Sequence, residues 1–311
     1  MIKTTGTNDS HFSANVKLLV ALHELLRSGR NDSTEADEIR DQMDVHWLRL
    51  SSEDKDRIRN LSASLSSLVE SAREADKSPE ESTLKAFKGA MEGANWYTAL
   101  KLLSDIEPSW PPANVAFSRG VCWAHLHQPE AAIAFFQEAT RHRTLEPEEE
   151  VWLLHSLVKV GRIEDVIPRI QEIEQSNESA LLLLMAAEVR FMQATTQSEH
   201  ALHLQAIEVA KRGLELAENQ HSNEQLQVFC RSAYLHMALS YDLLGDTENA
   251  LSAGVKALEF NPQDTIALKL LGYLKYQFFP EAEKESFRKD FRRDLIAEHT
   301  EYASTSIPSL N

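Results

Sequence analysis

The chain has 311 residues, of which 48 are Asp or Glu and 32 are Lys or Arg, giving a formal charge of −16; 42% of it is hydrophobic and 26% charged. That balance belongs to a globular chain and excludes disorder as the dominant state. It also argues against a nucleic-acid backbone or an anionic membrane as main partner, because like charges repel across the ~8 Å Debye length of physiological salt. Only ten Gly and ten Pro, with Leu, Ala and Glu abundant, favour an all-α fold. Two cysteines, Cys122 and Cys230, are too few for a disulfide framework and read as small buried hydrophobes in a reducing compartment. The first apolar run is interrupted by His23 and Glu24, and the run at 180–187 falls far short of the ~20 residues that cross a bilayer. No membrane insertion and a cytoplasmic location are therefore expected.

Between residues 13 and 28, Val16, Leu19, Val20, Leu22, Leu25 and Leu26 recur at helical spacing, and Ser28-Gly29 closes that helix. Ser33 predicts the N-cap of a second helix, with Glu35, Asp37 and Glu38 at its positive end, running to about Trp47. Ser51 with Asp54 opens a third, whose apolar face is Ile58, Leu61, Leu65, Leu68, Val69 and Ala72. Ser78-Pro79-Glu80-Glu81 is the sharpest helix start in the chain and marks a domain boundary near residue 79. The helix it opens reaches Met91, Gly93-Ala94-Asn95 turns, and residues 96–106 run back with Ala99 as the small residue of the pair; Pro108, Pro111 and Pro112 end it.

The next pairs repeat the scheme. Residues 116–139 place Gly120, Trp123, Ala132, Phe136 and Ala139 along two helices, with Arg119 as the one polar intruder. Residues 148–173 supply Leu153, Leu154, Leu157, a turn at Gly161, and Val166. The clearest stretch is 231–264, with Tyr234, Met237, Ala238 and Tyr241, then Gly245-Asp246, Ala250, Ala257 and Pro262. Ala238, Ala250 and Ala257 are small where two antiparallel helices must approach closely, while Tyr234, Met237, Tyr241 and Leu258 fill the space around them. Gly245 ends the first helix in the left-handed conformation. Asn261-Pro262 is expected to start the next helix, as N-cap and first residue.

This aromatic-x2-apolar-small-x2-Tyr helix, turn and Ala-bearing helix closed by Pro resembles the tetratricopeptide repeat family. The resemblance covers roughly residues 79–298. Gly254 stands where the family usually has an aromatic residue, which implies looser packing there. Measured on the small-residue position, Ala99, Ala132, Val166, Ala206 and Ala250 lie 33, 34, 40 and 44 residues apart, around the family's period of 34. The longer intervals place polar insertions near 193–199 and 219–225, expected as lengthened loops or helix extensions. Thr265 to Phe279 continues the pattern, and a degenerate last helix at 281–298 carries Lys284, Arg288, Lys289, Arg292 and Arg293, either a solvated cap or a site for an acidic partner. The family implies an all-α, right-handed α-solenoid of about six helix pairs over 79–298. About three helices in 1–78 precede it and a disordered tail at 299–311 follows.

No phosphate loop, dinucleotide fingerprint, paired CxxC or nucleophile elbow occurs. Ser82-x-x-Lys85 matches a nucleophile pattern in spelling only. His200 and His203 share a helix face and could hold a metal only with ligands from elsewhere, so neither metal nor cofactor is expected, and no enzyme. The resemblance implies a scaffold that binds another polypeptide in a concave groove lined by the first helix of each pair. The family's recognition positions fall here on Leu84, Lys88, Phe117, Val121, His125, Val151, His155, Lys159, Met185, Val189, Leu235, Leu239, Asp242 and Tyr273. This apolar lining with scattered polar groups suits an amphipathic helix or extended peptide. The Lys/Asn clamp that some members use for acidic chaperone tails is absent, since its positions hold Leu84, Lys88, Ser118, Glu148 and Trp152. The alternative is a peptide-responsive regulator with the N-terminal helices as effector; residues 1–79 hold eleven Lys or Arg against fourteen Asp or Glu, which speaks against a DNA-binding effector.

Overall fold

Short polar side chains set several of the helix starts. Ser33 accepts from the Ala36 amide at 3.2 Å, and the Ser51 hydroxyl accepts from the Asp54 amide at 3.1 Å while donating to its carboxylate at 2.8 Å. These caps open α2 (Thr34–Trp47) and α3 (Ser52–Glu70), which follow α1 (Ser10–Arg27). The computed structural model describes residues 10–70, 81–176, 179–218 and 224–275. Among them lie fourteen α-helices and a 3-10 turn at Glu107–Ser109. The start expected at Ser78-Pro79 and the boundary beside it lie outside the described residues, as do Ala72, the helix expected at 281–298 with its basic cluster, and the tail at 299–311.

The remaining helices come as α4 (Glu81–Glu92) with α5 (Trp96–Ile106), α6 (Pro112–His125) with α7 (Pro129–His142), α8 (Pro147–Lys159) with α9 (Ile163–Ser176), α10 (Ala180–Gln197) with α11 (His200–Ala217), and α12 (Glu224–Leu243) with α13 (Thr247–Phe260), followed by α14 (Thr265–Lys275). Each of these five pairs packs as a helical hairpin. The turns share one device, a left-handed residue just past the first helix, at Ala94, His127, Gly161, Ser198 and Gly245. Behind it an amide reaches back five residues to a helix carbonyl: Asn95 to Ala90, Gln128 to Trp123, Arg162 to Leu157, Glu199 to Ala194 and Asp246 to Tyr241, at 2.8–3.2 Å. This closure satisfies carbonyls that the helix end would otherwise orphan.

Contacts divide the chain into a first compact unit ending at Leu145 and a second beginning at Glu146. In the first unit, Gly120 of α6 has no room for a side chain, since a Cβ there would lie 2.5 Å from the Phe136 ring of α7. Ala99, Ala132 and Ala139 are wholly enclosed. Arg119, the polar intruder, is 2% exposed because its guanidinium grips the Glu107 carboxylate with both nitrogens, at 3.1 and 2.8 Å, and lies over the Phe135 ring. The helices ahead of residue 79 belong to this unit. α1 lies along α7, with Gln128 donating to the Ser13 hydroxyl at 3.1 Å and Lys17 paired with Glu130 at 2.9 Å. From α3, the Arg57 guanidinium sits 3.7 Å from the Tyr97 ring of α5, and Ser67 donates to Glu107 at 3.3 Å.

In the second unit, α10 packs against α8, α9, α11 and α12, and twelve consecutive residues, 180–191, are buried. A helix apolar on every side belongs at such a centre. The insertion near 193–199 is helix: α10 and α11 have 18 residues each and are joined by Ser198 and Glu199 alone. That near 219–225 lies mostly outside the described residues. Ala238, Ala250 and Ala257 are fully enclosed between α12 and α13. Two expectations change here. Packing at Gly254 is tight, because Leu271 of α14 fills the place an aromatic ring would take and a Cβ would meet it at 2.9 Å. The start expected at Asn261-Pro262 moves to Asp264, whose carboxylate accepts from the Ile266 and Ala267 amides at 2.9 and 3.1 Å and pairs with Arg231 at 3.1 Å. Asn261 ends α13, and its side chain accepts from the Gln263 amide across the bend.

Candidate partner-binding face

The fourteen recognition positions fall on the first helices of the pairs and on α14, and packing sorts them. In the first unit, Leu84 and Lys88 on α4 keep exposure, whereas Phe117 and Val121 on α6 are buried, Phe117 packing against Phe136 with centroids 5.4 Å apart. His125, in the last turn of α6, is half-buried and stacks on Trp96 of α5, with rings 3.9 Å apart and 2° from parallel. In the second unit, Val151, Met185, Val189 and Leu235 reach no solvent, and His155, Leu239, Asp242 and Tyr273 are nearly enclosed. Lys159 is half-exposed at the end of α8. The physical reason is that α10 lies against both α8 and α12, so positions facing a neighbouring first helix fill that seam.

Solvent is reached chiefly at the ends of these helices. Two residues before the left-handed turn position, Glu92, His125, Lys159, Thr196 and Leu243 all keep exposure, and Met192 on α10 keeps some as well. Helix C-termini also turn carbonyl oxygens outward, a fixed negative partial charge that favours cationic side chains in the last turn or from outside.

One charged residue missing from the recognition set stands out. Glu188 on α10 is 6% exposed. Burial pushes its carboxyl up to about 7, against the opposing charge of Lys159. Burial likewise pulls the Lys159 ammonium down to about 8, with Glu188 supporting its charge. The pair therefore titrates near neutrality. The signal was present in the sequence: Glu188 and Arg190 are the only charges in the apolar run from Ala180 to Met192. Arg190 has a structural partner, clamping Glu174 of α9 at 2.7 and 2.8 Å.

The other candidates for chemistry have structural surroundings. His203 turns inward to bond the Ser240 hydroxyl of α12 at 3.0 Å, its basicity lowered first by burial and then by the charge of His200, while His200 itself is exposed. The two do not share a face open to one ion. Burial pushes the Cys122 thiol up to about 12 and the Cys230 thiol to about 11, and Cys122 donates to the Met91 sulfur at 3.6 Å. Such thiols are protonated and inert at neutral pH. Among the described residues no three His, Cys, Asp or Glu side chains gather as a metal site, and no helix is long and apolar enough to cross a membrane.

No protein-family model matches this chain, and no curated protein matches it. Among solved structures, the crystal structure of the TPR domain of P58(IPK) aligns with 92% of this chain and 77% of that one, at 14% identity and a TM-score of 0.33.

Proposed function

We propose that this chain is a tetratricopeptide-type helical repeat protein that does no catalysis and binds a segment of another polypeptide on the first helices of its pairs. The observation that carries the reading is the side-by-side packing of α8, α10 and α12. Helices that alternate along the chain lie together, as stacking of helix pairs requires. The contact residues on this reading are Leu84, Lys88 and His125 in the first unit, and Lys159, Met192 and Leu243 in the second. Within each unit the enclosed positions, Phe117 and Val121 in the first and Val151, His155, Met185, Val189, Leu235, Leu239, Asp242 and Tyr273 in the second, hold that unit's own first helices at their spacing from behind. A net charge of −16 and outward helix carbonyls favour a partner segment that carries basic residues among apolar ones.

The test is quantitative capture from the native host with tagged wild type and two double variants, Leu84→Glu/Lys88→Glu and Met192→Glu/Leu243→Glu. These positions retain exposure, so the variants are expected to keep wild-type circular dichroism and thermal midpoints. A polypeptide recovered with wild type should be depleted at least tenfold by one of them, each tenfold corresponding to about 1.4 kcal/mol. Equal recovery with both folded variants overturns the assignment of this face.

A further inference from the structure

His11 in the first turn of α1 and His46 in the last turn of α2 meet with their Nδ1 atoms 2.9 Å apart. Their ring centroids are 5.2 Å apart and their planes 47° from parallel. The centroid spacing is about the nitrogen spacing plus the two ring radii, so the two nitrogens point at one another head-on. In the neutral pair one Nδ1–H donates and the other nitrogen accepts. Both histidines are half-buried. The helices behind them are pinned: Asn15, one turn along from His11 and fully enclosed, donates to the Met43 carbonyl of α2 at 3.1 Å. Met43 is three residues before His46, a spacing that puts the two on the same face of α2 as neighbours. Met43 is half-buried there.

From this arrangement we infer that α1 and α2 hold a binding site for a soft monovalent metal ion, Cu(I) or its analogue Ag(I), on His11, His46 and Met43. Bonds of about 2.0 Å to each imidazole, at a trigonal or tetrahedral ion, set the two nitrogens about 3.3–3.5 Å apart. The pair needs to open by roughly half an ångström and each ring to swing by about 30° so that both lone pairs meet the ion, motions within reach of χ rotation about the existing rotamers. The ion takes the place of the shared hydrogen, and the displaced proton moves through water to Nε2 of the same ring, so binding releases no net proton. The donor set selects the ion. Two imidazoles and a thioether suit Cu(I), whereas Zn(II) is held by three or four protein ligands and finds no third His, Cys, Asp or Glu here among the described residues. The site does not depend on the partner-binding proposal.

The experiment is titration of the full chain with Ag(I), and with Cu(I) under a competing chelator, while the histidine nitrogens are followed by NMR. Ag(I) should shift the Nδ1 resonances of His11 and His46, and His46→Gln should bind one equivalent fewer than wild type. Counting against His46→Gln separates this site from the thiols of Cys122 and Cys230. Met43→Leu keeps volume and both rings, and should weaken Ag(I) binding about tenfold to a hundredfold while leaving any Zn(II) binding unchanged. Should His46→Gln fail to fold, the wild-type resonances and Met43→Leu decide. Nδ1 resonances that stay in place at saturating Ag(I), unchanged stoichiometry in folded His46→Gln, or equal affinity in Met43→Leu would each overturn the assignment.

Discussion

In the first unit the second helices of both pairs, α5 and α7, are met by earlier parts of the chain, α3 and α1. In the second unit α11 and α13 are met instead by later parts of the chain, α12 and α14, and Leu204 and Val255 stand 58% and 51% exposed on them. Enclosure there is directed inward, around α10. The two units thus protect different places with the same hairpin. The first ties its cover down with polar contacts, Gln128 to Ser13, Lys17 to Glu130 and Ser67 to Glu107, whose carboxylate also holds Arg119. The second has polar ties of its own, Arg190 to Glu174 and Arg231 to Asp264, and leaves one titrating carboxyl, Glu188, in the middle of its apolar packing. A polar tie is strong only while both partners are present, whereas a buried carboxyl weakens the fold whenever it is ionised.

The largest effect expected from that contrast is at Glu107. Glu107→Ala strands the Arg119 guanidinium, 2% exposed, and should destabilise by about 3 kcal/mol in urea unfolding. Arg119→Met combined with Glu107→Gln should recover most of it. A loss below about 1 kcal/mol in the single variant would mean that the pair is no tie.

Next comes Glu188→Gln, whose effect depends on pH. The folded-state pKa of about 7 lies above the ordinary value of 4.5, so the fold holds the proton more tightly than the unfolded chain does. Below about pH 4.5 the carboxyl is protonated in both states and the variant should match wild type. As pH rises through about 7, wild type loses stability that the variant keeps, and the gap should level off near 2–3 kcal/mol, reduced somewhat because Lys159 loses a supporting charge. Denaturant midpoints at pH 4 and pH 8 check this; a gap that does not widen with pH contradicts it. The smallest effect is at Ser198, held at φ 54° between α10 and α11. Ser198→Gly should raise stability by about 0.5–1 kcal/mol, because a Cβ is strained in that conformation. Gly245→Ala at φ 81° should lower it by a similar amount, and a thermal scan reads both.

Those turns show how far the residues alone could be read. Gly161 and Gly245 announced their turns, but His127 and Ser198 adopt the same conformation with no glycine to mark it, because the backbone hydrogen bonds behind them outweigh the local strain. Ala238, Ala250 and Ala257 were legible as contact points through their spacing. Gly213 was not: its role appears only where a Cβ would meet Leu184 at 2.9 Å and the Leu183 Cβ at 3.2 Å, across from α11 to α10. Recognition positions were legible as places on first helices but not as exposed or enclosed, since burial depends on the next helix rather than on the residue's own.

Composition, helical periodicity and short polar caps, all local properties, were enough to determine an all-helical chain of antiparallel pairs with small residues at their crossings. Long-range packing decided that α1 and α3 attach to α7 and α5, that Arg119 pairs with Glu107, that Leu271 fills the space beside Gly254, and that His11 meets His46. Each of these joins residues on different helices, and helical periodicity specifies which face a residue occupies without specifying what that face will meet.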